Sequence, residues 1–148
     1  MIVIEVQNET KNSNLPESNL LISWAQHAVS PEYKKAEICL RLVDEKESQN
    51  LNKQYRHQDK PTNVLSFSSK MPGVYQSVLL GDLVLCAPII EKEAQEQNKI
   101  AHHHWAHMVI HGCLHLLDYN HEDDKMALVM ESYEIKLLAQ LGITSPYF

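Results

Sequence analysis

The stretch "HMVIHGCLHLLDYNHEDD", residues 107–124, carries four of the chain's nine histidines inside an otherwise apolar segment. An apolar segment of this length normally buries, and titratable imidazoles within it need a reason. At roughly 100° per residue, His103, His107, His111 and His115 fall within about 120° of one another on a helical wheel. Trp105, Ala106, Val109, Ile110, Cys113, Leu116 and Leu117 occupy the opposite side. The pattern predicts a helix over about Ile100–Leu117 with one face in a core and the other turned to solvent or a cleft. Any fold this chain adopts has to place something useful against that second face.

His111 and His115 are i,i+4 neighbours, close enough to hold one ion. His121 follows, giving HxxxHxxxxxH. Between them "DYN" at 118–120 breaks the helix, because Asp and Asn tolerate left-handed turns, and the chain can return His121 to the other two. Three neutral imidazoles with an open fourth position suit a catalytic zinc, whereas structural zinc sites usually close all four positions, often with cysteine. Zinc in such a site lowers the pKa of bound water to near neutral. Cys113, two residues from each helical histidine, points to another side of the helix. His107 is a candidate for supporting a ligand from behind. His102, His103 and His104 read as surface residues. The spacing is similar to the HExxHxxGxxH of zinc peptidases, but Gly112 stands where those enzymes carry their glutamate base, so a peptidase reading has ligands and no base.

At 148 residues and 44% hydrophobic, the chain is expected to be one domain, 1–148, with a real core. "MIVIEV" reaches Glu5 without a basic flank or cleavage signature, and no apolar run approaches a membrane span. Cys39, Cys86 and Cys113 include no CxxC pair. Reduced thiols and a cytoplasmic location are the expectation. The net charge of -6 argues against a nucleic-acid binder taken whole. The charge is uneven, however. Lys53, Arg56, Lys60 and Lys70 against Asp59 leave a local +3, so the rest carries -9. Such a patch can steer an anionic ligand; an ordinary solvated loop explains the charges equally well. Arg56 could grip a phosphate with two parallel hydrogen bonds, or it could pair with Asp59 at a helix end.

Along the chain, "MIVIEVQ", "AEICLRLV", "NVLSFS" and "LLGDLVLC" read as strands. "SKMPGVYQSV" reads as the loop between the last two. Helices are expected over "LPESNLLISWAQHAVS", with Pro16 in its first turn, and over "DEKESQNLNKQYR", with Asp44 as cap. Three more are expected: Pro88 to about Gln97, the histidine helix, and about Glu122 to Gly142. Strands cluster early and helices late. The layout is α+β, a mixed sheet of about four strands packed with about five helices, with the metal site on a helix and the turn after it. Periodicity does not give the strand order.

"HGCLHLLDYNH" resembles the HGxLHLxGYDH signature of the YbeY family of ribosomal-RNA maturation factors. "YRHQDKPTNVLSF" and "LLGDLVLC" resemble two further blocks of that family, in the same order, over roughly residues 36–142. The resemblance implies a metal-dependent endoribonuclease that acts on single-stranded RNA in small-subunit ribosomal RNA maturation and quality control. It implies zinc held by His111, His115 and His121, and a functional arginine at Arg56, with Lys53, Arg56 and Lys60 as candidate RNA contacts. Implied partners are the small ribosomal subunit and an Era-type GTPase. A ribosome-assembly factor whose zinc is mainly structural is the competing function. Asn63 and Ser66 could bond a substrate or merely hold a turn and strand. Asp118 stands where the family usually has Gly, and Asn120 where it usually has Asp.

Overall fold

In the computed structural model, residues 1–12, 14–69 and 78–147 are described. Most of the loop expected over 69–78, and Lys70 with it, lies outside the described residues.

Alternating side chains build the sheet. In the strand Ala36–Val43 (β2), Ala36, Ile38, Leu40 and Leu42 are buried on one face, while Glu37, Cys39 and Arg41 turn to the other. β2 pairs in parallel with Ile2–Asn8 (β1) on one side and with Leu79–Cys86 (β4) on the other. Val64–Ser68 (β3) pairs antiparallel with β4, giving the order β1-β2-β4-β3. The expected mixed four-stranded sheet is thus present, with β3 at an edge. Leu83 and Leu85 of β4 enter one apolar cluster, while Val84 and Cys86 enter a second on the opposite face. Burial on both faces explains why β4 reads as a nearly continuous apolar run.

Among the described residues five helices surround this sheet. Ser18–Val29 (α1) and Ala101–Leu116 (α4) lie over the main core, α4 against α1, β3 and β4. Glu45–Arg56 (α2) and Ala87–Glu96 (α3) contact β4 and each other, and Asp124–Gln140 (α5) packs against α4. Pro16 precedes the N-cap Glu17 of α1 rather than entering its first turn. Pro88 sits in the first turn of α3, where its missing N–H costs nothing. α5 begins two residues later than expected. Asp123 is its cap, accepting from Met126 N at 2.7 Å.

α2 is the exception to apolar packing. Its buried residues are Ser48 and Asn52. Ser48 Oγ donates to Thr62 O at 2.8 Å and accepts from Thr62 N at 2.9 Å, and Asn52 Nδ2 donates to Lys60 O at 2.8 Å. These bonds fasten the connection between α2 and β3, and so fix where Arg56 stands. Asp44 holds the N-cap position without capping; its carboxylate instead accepts from Thr10 Oγ1 and from Lys11 N. The loop after β1 offers donors that outcompete the free N–H groups of α2.

Two glycines set close approaches. A Cβ on Gly112 would lie 3.0 Å from both Leu83 δ-carbons and 3.1 Å from Val64 Cγ2, so its absence lets α4 sit down on β3 and β4. Ser66 Oγ then donates to Gly112 O at 3.0 Å, tying the edge strand to the helix. Gly81 has φ 145°, and a Cβ there would lie 2.1 Å from Phe67 O.

Candidate metal centre

α4 ends directly beneath the site. Leu117 is its C-cap, and Asp118 follows with φ 73°. Tyr119 N donates to Leu114 O at 3.0 Å and Asp118 N to His115 O at 3.1 Å. This is a Schellman closure with a left-handed residue at the position where glycine is usual. The turn returns the chain, and Asn120 Oδ1 accepts from Glu122 N at 3.0 Å on the way to α5.

His121 consequently stacks on His111, with ring centroids 5.3 Å apart and planes at 19°, and stands 5.4 Å from the His115 ring. The Nε2 atoms of His111 and His115 are 3.2 Å apart. One ring nitrogen from each of the three histidines lies within 4.8 Å of the others, so the trio could hold a metal ion. Burial pushes His115 down to about 4, with the neighbouring His111 and His121 adding to the effect. Its imidazole is therefore neutral near neutral pH, as a ligand must be.

The face of α4 that the wheel sets opposite the core is not left to solvent. α5 covers its middle and brings Glu134, which is fully buried, beneath the histidines. Glu134 Oε1 faces His111 Nδ1 at 2.9 Å, and Oε2 faces His107 Nε2 at 2.7 Å. Burial opposes the charge on this carboxyl, but the hydrogen bonds from His107 and His111 outweigh it and hold Glu134 down at about 2. A carboxylate only accepts, so the His111 proton resides on Nδ1 and its Nε2 lone pair faces His115. That is how a metal-binding imidazole is usually oriented. His107, His111 and Glu134 also form a second set of converging donor atoms that could hold an ion. Their separations of 2.7 and 2.9 Å are hydrogen-bond lengths, occupied by the protons that orient His111.

A cleft of about 520 Å³ opens beside the histidines. Arg56, Ser66, His111, His115, Asp118 and Asn120 are among its walls. Arg56 reaches it across the edge of β3, where Nη2 donates to Ser66 O at 3.1 Å. The alternative pairing with Asp59 does not form: Asp59 accepts from Gln49 and lies 3.8 Å from Lys53 Nζ. Lys53 and Lys60 are exposed and do not line the cleft, so of these three candidates Arg56 alone joins the histidines. Asn63 Nδ2 donates to the Glu93 carboxylate and its Oδ1 accepts from Val64 N, while Ser66 Oγ is bonded to Gly112 O. Both residues hold structure together here.

His104 departs from the surface expectation. It is buried, and its Nε2 lies 2.9 Å from Glu93 Oε1. Burial pushes its pKa down, against the pull of Glu93. Cys113 faces the core, where burial pushes its thiol up to about 12 and removes it as a ligand. Glu134 was missed by sequence reasoning, although a signal for it exists. Met130, Glu134, Leu137 and Leu138 form the buried stripe of α5, and a carboxylate in an apolar stripe calls for a partner.

Among the described residues no helix is long and apolar enough to cross a membrane. The family model described as Endoribonuclease YbeY matches residues 5–142. The solution structure of TM1509 from Thermotoga maritima is 31% identical, covers 94% of this chain and 91% of its own, and superposes with a TM-score of 0.60.

Proposed function

The chain belongs to the YbeY endoribonuclease family, and on that premise we propose that it is a zinc-dependent endoribonuclease specific for single-stranded RNA. It acts in small-subunit ribosomal RNA maturation and ribosome quality control, in the cytoplasm, with the small ribosomal subunit and an Era-type GTPase as partners. The observation that carries this reading is the convergence of three imidazoles, His111, His115 and His121, beside a cleft whose walls include His111, His115 and Arg56.

In this reading His111, His115 and His121 hold the zinc through ring nitrogens, and Glu134 fixes the ring of His111. Zinc bound there supplies a Lewis acid and lowers the pKa of water. Arg56 binds the scissile phosphate. Its bond to Ser66 O holds the guanidinium at the cleft wall, and its remaining N–H donors stabilise the charge that builds on the phosphoryl oxygens. Lys53 and Lys60, outside the cleft, contribute at most to holding flanking RNA. Three protein ligands beside an open cleft favour catalysis over a zinc that only supports the fold.

The test pairs two variants. His115→Ala is expected to lose stoichiometric zinc. Arg56→Ala is expected to keep fold and zinc while cleavage of single-stranded RNA falls ~10²-fold, the loss typical of one oxyanion-stabilising donor. Full zinc in the first variant removes the ligand assignment, and an unchanged rate in the second removes Arg56 from catalysis.

A further inference from the structure

The Glu134 carboxylate has a third donor, and it comes from outside the helix that carries His107 and His111. The Tyr147 hydroxyl donates to Glu134 Oε2 at 2.7 Å. The same oxygen faces His107 Nε2, while Oε1 faces His111 Nδ1. Tyr147 belongs to the segment that follows α5. Its ring stands edge-on to the His107 ring, with centroids 5.6 Å apart and planes at 84°. The residue is 41% exposed, yet its hydroxyl reaches a carboxylate that is 0% exposed. The phenol thus covers Glu134 from the solvent side.

The terminal torsion of a glutamate side chain is broad and two-fold, so packing alone does not fix a carboxylate plane. Donors do. Here Oε2 is held from two directions, by α4 through His107 and by the C-terminal segment through Tyr147. With Oε2 held, Oε1 has one orientation left, and it points at His111. We propose that Tyr147 is a positioning residue for the metal centre: by holding Glu134 Oε2 it keeps Oε1 on His111 Nδ1–H, and so keeps the His111 Nε2 lone pair turned toward His115 and His121. Without the hydroxyl, His107 alone holds Oε2, and the carboxylate plane turns more freely away from His111. His111 then gains access to the tautomer with its proton on Nε2, which presents no lone pair toward His115 and His121. The consequence for zinc rests on the metal reading above, while the control of the His111 tautomer does not.

Tyr147→Phe removes the hydroxyl and keeps the ring against His107. Long-range proton–nitrogen NMR spectra of the metal-free protein read the His111 tautomer, and chelator competition reads zinc affinity. The expected result is a lower share of the Nδ1–H tautomer at His111 and zinc binding weakened at least about threefold. Direct partners of a ligating histidine are worth ~10–100-fold, and Tyr147 stands one bond further out. Tyr147→Leu, which also removes the ring, should shift His111 at least as far. Unchanged His111 nitrogen shifts and unchanged zinc affinity in Tyr147→Phe would overturn the proposal and leave the ring a packing role only. If the wild-type protein took up no zinc, the metal reading would fall, and the His111 tautomer would still decide whether Tyr147 positions that ring.

Discussion

At the scale of single residues, the two departures from the family signature have different physical contents. Asp118 sits at φ 73°, where an L residue bears a steric cost that glycine does not. Asp118→Gly relieves that cost, on the order of 1 kcal/mol, and raises the backbone entropy lost on folding by a similar amount. We therefore expect a neutral to slightly stabilising change in denaturant unfolding, with zinc affinity retained. Asn120 acts through its Oδ1, which accepts from Glu122 N in the turn toward α5. A carboxylate accepts at least as well, so Asn120→Asp should keep the turn and keep or tighten zinc. A tenfold loss of zinc affinity in either variant, read by chelator competition, would contradict this account of the turn. The left-handed site at Asp118 could be read from residue type. The orientation of His111 could not, because its partner Glu134 arrives from another helix 23 positions along the chain.

At the scale of elements, the site depends on how closely α4 rides on β3 and β4. Gly112→Ala gains helix propensity of ~1 kcal/mol but places a methyl group at 3.0 Å from both Leu83 δ-carbons, an overpacking that costs ~1–3 kcal/mol. A net loss of about 1 kcal/mol is expected. Gly81→Ala is a harder case, since its Cβ meets the Phe67 carbonyl, which cannot rotate away, at a φ of 145°. Its cost should be the larger of the two, upward of ~3 kcal/mol in equilibrium unfolding. The reverse ranking would show that the α4–sheet contact, rather than the β3–β4 pairing, governs stability. The elements themselves were legible because periods of two and 3.6 residues are local properties of the chain. Their order in the sheet was not, since β2 and β4 become neighbours only through crossovers. Nor was the seating of α2 legible: Ser48 and Asn52 are unremarkable polar residues until Thr62 and Lys60 fold against them. His104 was misread for the same reason. Its burial depends on Glu93 of α3, and nothing in "HHH" names that partner.

At the scale of the whole molecule, the buried histidine–carboxylate network predicts how the metal-free protein responds to acid. His115 is lowered from an ordinary 6.5 to about 4, with burial the larger cause. The unfolded chain therefore binds more protons in that interval, and the stability His115 contributes is present above about 6.5 and lost as pH falls toward about 4. Glu134, lowered from 4.5 to about 2, contributes stability above its ordinary value that is lost as pH falls through about 2. Thermal midpoints of the metal-free protein should fall in both intervals, and His115→Ala should flatten the upper one; a midpoint unchanged between pH 6.5 and 4 would contradict the burial of that imidazole. Bound zinc adds its own stabilisation by mass action at neutral pH. In the proposed function the same ion links the fold to the reaction: helix α4 and its Schellman turn bring the three histidines together, helix α2 carries Arg56 to the cleft beside them, and RNA is cut there only with the ion bound. The most direct measurement is a zinc titration of the chelator-stripped protein, following cleavage of a single-stranded RNA. Cleavage should be absent without metal and should rise to a plateau at one zinc per chain. Full cleavage by the stripped protein, or a rate that ignores added zinc, would contradict the account.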